Sequence, residues 1–502
     1  MVSTTGRYVA FVSWATNLVP EGGDGIGNVF VRDMITGAVE RVSVMASGDG
    51  APDDCLGNSI TGDGRFVSFQ TFGWGLVPAG NPGVYVHDRV TGVTSQESVY
   101  PWGAGLDEIG HGSQLTDDGR WIVFDSKRNL VVPGDSDFDW DVFVRDRQLG
   151  VNELVSVSLP GEPPDAPATL GSNQFLSADG RYVVCDQGGN NIPGDTTGDH
   201  VWLRDRQAQT VQQLDLTPQG TQGDGYAYGA AISANGRFVA FASTSTNLLP
   251  GGSTSHLQLF VRDLQTGEIE VASVGTLGET NIGYVADASI SDDGRWVAFA
   301  SNTELFWPNN ETQWEVYQRD RLTGLTHLVS IDPAGDTLGH EARMGTMSRD
   351  GRALGFHHGS DLLPQDVNPG FDTYLYDRFE AAPWKDLGGG LDGSSGVPVL
   401  AADGFLKAGV PSFLALAQAL PGTAATLVVG LSSASLSFKG GILVPSPDVL
   451  LPMSTGSGKL LVPIVLSQGV PSDVPLFLQF WILDAGGIKG LAASNGLQVA
   501  TP

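Results

Sequence analysis

The chain has 502 residues, 41% of them hydrophobic, enough to bury a large core and to fill two or more domains. Its formal charge of −29 repels phosphate backbones, which excludes nucleic acid as a partner and favours divalent cations or cationic groups. No apolar run can span a bilayer, since the richest, Leu476 to Leu483, is stopped by Pro475 and Asp484.

Seven times a Gly-Arg pair opens a short apolar run: Gly6-Arg7, Gly64-Arg65, Gly119-Arg120, Gly180-Arg181, Gly236-Arg237, Gly294-Arg295 and Gly351-Arg352. An Arg-Asp-type pair follows each, at Asp33, Asp88, Asp146, Asp205, Asp263, Asp320 and Asp377. This is a repeat array. Met1 stands only a few residues before the first anchor, where the other units already have a strand. An upstream export signal with part of a strand is therefore expected, which points to an extracellular, cell-surface or periplasmic protein.

The sixth unit shows the pattern in full. Residues 288–291 read as a first strand, Asp292-Asp293-Gly294-Arg295 as a turn, and 296–300 as a second strand. Residues 315–320 and 326–330 supply a third and a fourth around a Thr323-Gly324 turn. Four antiparallel strands per unit and seven units predict an all-β, seven-bladed β-propeller over residues 1–382. Val297 and Phe299 face one neighbouring blade, Trp296 and Ala298 the other. A side chain repeated in every blade serves that blade, so the Arg and Asp anchors are read as ion-pair or turn residues.

The Asp-Gly-Arg turn, the Val-Ala-Phe strand and the Val-Phe-Val-Arg-Asp strand resemble TolB-type propeller repeats. That resemblance implies an exported bacterial protein. It leaves function open, because such repeats occur in protein-binding scaffolds, peptidase lids and polysaccharide-degrading enzymes. The second anchor degenerates to His87-Asp88 and Tyr376-Asp377, and no fourth strand is evident after Arg378.

Short turns share one face of such a ring, so the longer connections share the other, and that is where binding residues are expected. In blade 3, Asp135, Asp137, Asp139 and Asp141 alternate just before the third strand and are candidate calcium ligands, with partial echoes at Asp24 and Asn28, at Asp195 and Asp199, and at Asp366, Asn368 and Asp372. In blade 7, His340-Glu341 precedes the first strand and His357-His358 ends the second, while His111 lies at the corresponding start of blade 3. Imidazoles and a carboxylate converging at a channel mouth could serve as acid and base or hold a metal. The resemblance adds that lyases on a related propeller use histidines at this face. Trp14, Trp74, Trp102, Trp140, Trp307 and Trp314 fall in or beside the long loops and could grip sugars or side chains. Cys55 and Cys185 are too few for a disulfide framework or a zinc site, and Cys185 takes a core Phe position.

From Pro383 the period vanishes, and residues 383–502 hold five Lys, six Asp and no Arg, His or Glu. Apolar segments at 412–417, 426–431, 459–466 and 476–483, punctuated by Gly and Pro, predict a small β-sandwich. Phe438-Lys439-Gly440-Gly441 and Ala493-Ser494-Asn495-Gly496-Leu497 resemble a C-terminal domain of large exported planctomycete proteins, which implies an accessory role. Together these readings favour a monomeric, non-catalytic scaffold that binds a protein or polysaccharide on its long-loop face. The alternatives are a polysaccharide lyase or glycoside hydrolase using the blade 7 histidines, and a structural protein stiffened by Ca2+.

Overall fold

The computed structural model describes residues 1–502 other than 24, 107, 109, 111, 134, 136–137, 158–166, 172–173, 189–198, 253–255, 279–282, 303–312, 334, 338–340, 364–369, 379–382, 405 and 502, and only the backbone of Asn58. Up to Arg378 the described residues form seven antiparallel sheets in sequence order, as expected of a β-propeller. The sixth contains Val285–Ile290, Trp296–Ser301, Glu315–Asp320 and Thr326–Leu328. Its first strand starts earlier than the sequence suggests, because a bulge with Asp287 at φ 57° carries the pairing across a register shift. In the first sheet, Val2 bridges to Val9 ahead of Tyr8–Ser13, Asn28–Asp33 and Val39–Arg41. The seventh has three strands among the described residues, Ala342–Met347, Ala353–His358 and Asp372–Asp377.

Strand alternation explains how the sheets stack. Val297 and Phe299 join a cluster with Phe238 and Ala240 of the fifth sheet, whereas Trp296, Ala298 and Ala300 join Met344 and Leu354 of the seventh. Both sides of each strand are thus core, the expected consequence of burial between two neighbours. Cys185 sits in such a cluster beside Val183 and Trp202.

The Gly-Arg anchors hold both the turn and the neighbouring sheet. Gly294 has φ +69°, and Asp293 closes the turn by accepting hydrogen bonds from Ser291 Oγ at 2.7 Å and Arg295 N at 2.9 Å. A Cβ on this glycine would lie 2.1 Å from Cδ2 of Phe238 in the preceding sheet. All seven anchor arginines pair with the Asp that ends the strand after the one they open, in their own sheet, at 2.6–2.7 Å. In six of the sheets the guanidinium also lies 4.6–5.0 Å from the ring centroid of the following residue. The arginine after the second anchor adds a clamp that the repeat pattern alone did not reveal. Arg89, Arg147, Arg206, Arg321 and Arg378 reach back over the ring of the preceding sheet, on Tyr8, Phe66, Trp121, Phe238 and Trp296.

Beyond residue 383 one sheet runs in the order Lys385–Gly388, Gly496–Ala500, Pro475–Leu483, Ala424–Gly430, Val449–Ser454, and a second contains Val399–Asp403, Pro411–Ala417 and Leu460–Val465. Leu400, Leu414 and Leu416 of the second meet Leu427, Phe480 and Ile482 of the first in one core. This part docks on the sixth sheet, where Phe413 and Ala415 pack on Leu325 and His327 Nδ1 lies 2.8 Å from Asp403 Oδ1. Among the described residues no helix is long and apolar enough to cross a membrane.

Candidate functional site

The residue before each Asp-Gly-Arg turn, or its equivalent, varies from unit to unit: Thr4, Gly62, Asp117, Ala178, Ala234, Asp292 and Arg349. Asp117 reaches across this end. Its carboxylate accepts hydrogen bonds from Thr4 Oγ1 at 3.0 Å and Gly62 N at 3.2 Å, and pairs with Arg349 Nη1 at 3.0 Å. Arg349 also lies 3.9 Å from Asp292, whose carboxyl is pushed up to about 6 by burial, with Arg349 opposing. Just inside, Gln174 Oε1 accepts Ile290 N at 2.7 Å and Ser289 Oγ at 2.9 Å, so a side chain between the first two strands of the fourth sheet is bound by the sixth. Gln114 Oε1 likewise accepts Phe175 N at 2.6 Å. What remains open is a cavity of about 50 Å³ lined by Thr4, Ser59, Gln114, Asp117, Gln174 and Arg349, room for water and little else.

At the opposite, long-loop end the structure separates the histidines of the sequence reading. His357 and His358 point to opposite faces of Ala353–His358. His357 stands opposite Arg343 in the pairing, bonds Thr373 Oγ1 through Nδ1 at 3.1 Å, and is held down to about 4, mainly by burial and further by the chain's amino terminus and Arg343. At neutral pH it is an uncharged imidazole. His358 is fully buried and its Nδ1 accepts Ser360 N at 3.0 Å. Glu341 is paired with Arg343 at 2.8 Å. His340 and His111 lie outside the described residues.

Sequence inspection did not single out Asp186, in the wall between the fourth and fifth sheets. It accepts Gly229 N at 2.8 Å from the next sheet, and a Cβ on Gly171 would lie 1.8 Å from its Oδ2. Although the residue keeps partial solvent contact, its carboxyl is enclosed, and burial pushes it up to about 7 against those backbone hydrogen bonds. Asp125 of the third sheet occupies the equivalent strand position and accepts Gly112 N at 3.3 Å. The only sequence signal is an acid where sister strands carry Ala242 or Ala300.

The acidic run of the third sheet divides among local tasks. Asp135 is buried and its Oδ2 accepts Val131 N at 3.2 Å. Asp141 accepts Ser156 Oγ at 2.7 Å, while the same serine oxygen accepts Val142 N at 2.9 Å. This clip recurs as Ser43 with Asn28, Ser273 with Gln258 and Ser330 with Glu315, and in the fourth sheet as His200 with Asp215. Asp139 is exposed, and Asp137 lies outside the described residues, as do Asp24, Asp195, Asp366 and Asn368. Asp199 uses its backbone carbonyl to accept Ala227 N, and Asp372 stands in register with His358. Among the described residues no three His, Cys, Asp or Glu side chains are grouped to hold a metal.

Aromatic side chains on the long-loop face divide similarly. Trp140 and Trp314 are half-buried, and Trp307 lies outside the described residues. Trp14, Phe72 and Trp74 are 57%, 47% and 63% exposed; Trp14 and the backbone at Phe72 meet one acidic turn, and Trp74 follows two residues later. Trp14 Nε1 donates to Asp54 Oδ1 at 3.1 Å, Phe72 N donates to Asp54 O at 3.2 Å, and a Cβ on Gly73 would meet Pro52 and Asp53. Trp102 is exposed farther out, stacked on Tyr100 with ring centroids 4.5 Å apart.

No family model matches this sequence, and no curated protein matches it. Solved structures similar to it include TolB from Acinetobacter baumannii, at 15% identity and a TM-score of 0.38, over 64% of this chain and 63% of that one. The β-propeller domain of the Trilobed protease from Pyrococcus furiosus is similar at 12% identity and a TM-score of 0.46, over 75% and 93%. The acylaminoacyl peptidase of Pyrococcus horikoshii is similar at 12% identity and 0.43, over 82% and 56%.

Proposed function

We propose that this chain is an exported binding protein: a closed, seven-bladed propeller over residues 1–382 that takes a protein or glycan partner on its long-loop face, followed by a β-sandwich over 383–502 that spaces or attaches it. The observation that carries the reading is the asymmetry of the axis. Asp117 ties Thr4, Gly62 and Arg349 together at the short-turn end, while Trp14, Phe72 and Trp74 stand exposed at the other. Large exposed aromatics on a rigid frame are the groups from which binding surfaces draw most energy. Ring closure is supported by two contacts between the first and seventh sheets: Val2 N donates to Thr346 Oγ1 at 2.7 Å, and a Cβ on Gly6 would lie 2.9 Å from Cβ of Ala353. The second repeats, at the seam, the close approach of Gly294 to Phe238.

The test places a photo-crosslinking residue at position 74 on the long-loop face and, in a separate protein, at position 7 on the short-turn face. A partner captured saturably from position 74 and not from position 7 is the expected result. Capture from position 7 alone would contradict it, as would turnover of a polysaccharide or peptide by the purified protein that disappears in Glu341→Gln.

A further inference from the structure

We propose that Trp14, Phe72, Trp74, Asp53 and Asp54 form a docking site for an Arg- or Lys-rich protein segment. The inference rests on the long-loop face being a contact surface and names its ligand chemistry. This molecule holds its own cations in one recurrent way. On the short-turn face Arg89, Arg147, Arg206 and Arg321 each lie over an aromatic ring of the preceding sheet and also pair with a carboxylate there, Glu40, Glu97, Glu153 and Glu270. Ring face plus carboxylate is therefore the recurrent cation seat of this fold. It combines the ring quadrupole with charge pairing.

The same two groups occur at the long-loop ends of the second strands. In the third sheet the seat is filled internally: Lys127 lies 5.6 Å from the ring centroid of Trp140 and 3.5 Å from Glu108. In the first and second sheets the equivalent positions carry aromatic residues instead, Trp14 after Ser13 and Phe72 after Thr71. Asp53 is exposed and Asp54 half-buried between them, and among the described residues neither pairs with Lys or Arg. Rings and carboxylates are thus brought together, and among the described residues no Lys or Arg is paired with these carboxylates. Charge complementarity selects the occupant, because a chain of net charge −29 attracts a cationic segment from a distance and repels an acidic one. A neutral glycan could stack on the rings, but it would gain nothing from that field.

The experiment measures binding of a fluorescein-labelled oligo-arginine peptide to the whole chain at physiological salt, with a cello-oligosaccharide as the uncharged stacking probe. Trp74→Ala, at an exposed side chain, and Asp53→Asn are each expected to weaken the peptide about tenfold, the scale of one desolvated cation–π or charge contact. Asp49→Asn removes another exposed charge, in the turn after the last strand of the first sheet, and is expected to leave affinity within about twofold, as an isolated surface charge should. Equal loss in all three variants would reduce the effect to diffuse attraction and overturn the site, and so would failure of the peptide to bind. Cello-oligosaccharide binding that depends on Trp74, without peptide binding, would also overturn the cationic ligand while leaving the long-loop contact surface standing. The position 7 crosslink result, by contrast, would remove that surface itself.

Discussion

Asp117 of the third sheet and Arg349 of the seventh meet at 3.0 Å, joining two sheets that are far apart in sequence. The contact acts like a spoke: it opposes separation of the two sheets it joins. Because Asp117 keeps Thr4 Oγ1 and Gly62 N as donors, losing Arg349 leaves it hydrogen-bonded, so the cost is moderate. A double-mutant cycle with Arg349→Ala and Asp117→Ala, read by denaturant unfolding, is expected to give a coupling of about 1 kcal/mol. Strict additivity of the two variants would show that the spoke contributes nothing.

The turn glycines make a sharper prediction, because backbone strain and close packing can be separated. Gly37 has φ +73° and open space around its Cβ position, whereas Gly294 has φ +69° and Phe238 Cδ2 at 2.1 Å. Alanine at Gly37 is expected to cost about 1 kcal/mol, the strain of a left-handed residue. Alanine at Gly294 adds displacement of a buried ring and is expected to cost about 2–4 kcal/mol. Thermal unfolding of the two variants decides it, and equal losses would mean that the glycine is there for its backbone alone.

That contrast also marks how far the sequence could be read. The period, the strand pattern and the structural role of Arg295 and Asp320 were legible because local spacing encodes them. The approach of Gly294 to Phe238 was not, since the ring belongs to another unit and only packing brings it there. The long-loop face was harder for the same reason. Residues 357 and 358 are adjacent in sequence, yet strand alternation sends their imidazoles to opposite sides. Asp135 and Asp141 looked like one cluster, but each carboxylate accepts a hydrogen bond from a separate neighbour, Val131 and Ser156. Asp54 and Trp14 are distant in the chain and meet at 3.1 Å, so no motif search could have joined them.

The clip that ties Asp141 to Ser156 gives a test of what the aspartate is for. Asn28 does the same work with Ser43, so Asp141→Asn should be tolerated within about 0.5 kcal/mol. Ser156→Ala removes both the acceptor of Val142 N and the donor to Asp141 inside a buried sheet, and is expected to cost about 1–3 kcal/mol. If Asp141 instead ligated Ca2+, chelator would lower the melting temperature of the wild type and not of Asp141→Asn.

The pH dependence of stability should report on Asp186, whose carboxyl is raised from an ordinary 3.8 to about 7 by burial. The folded chain then binds this proton more tightly than the unfolded one, so ionisation opposes folding: the penalty is full above about pH 7 and is relieved as pH falls toward 3.8. His357 has the opposite sign. Burial holds it down from 6.5 to about 4, so its contribution is complete above 6.5 and is lost as pH falls through the folded value. The two oppose each other across the same window, which flattens the wild-type profile. Asp186→Asn keeps an oxygen to accept Gly229 N and removes the ionisation. It is therefore expected to be more stable than wild type near pH 8, by on the order of a few kcal/mol, with the gap closing as pH approaches about 4. Melting temperatures of both proteins across this range measure the gap. A difference that stayed constant with pH would mean that Asp186 does not change protonation there, and that the amide alters packing alone.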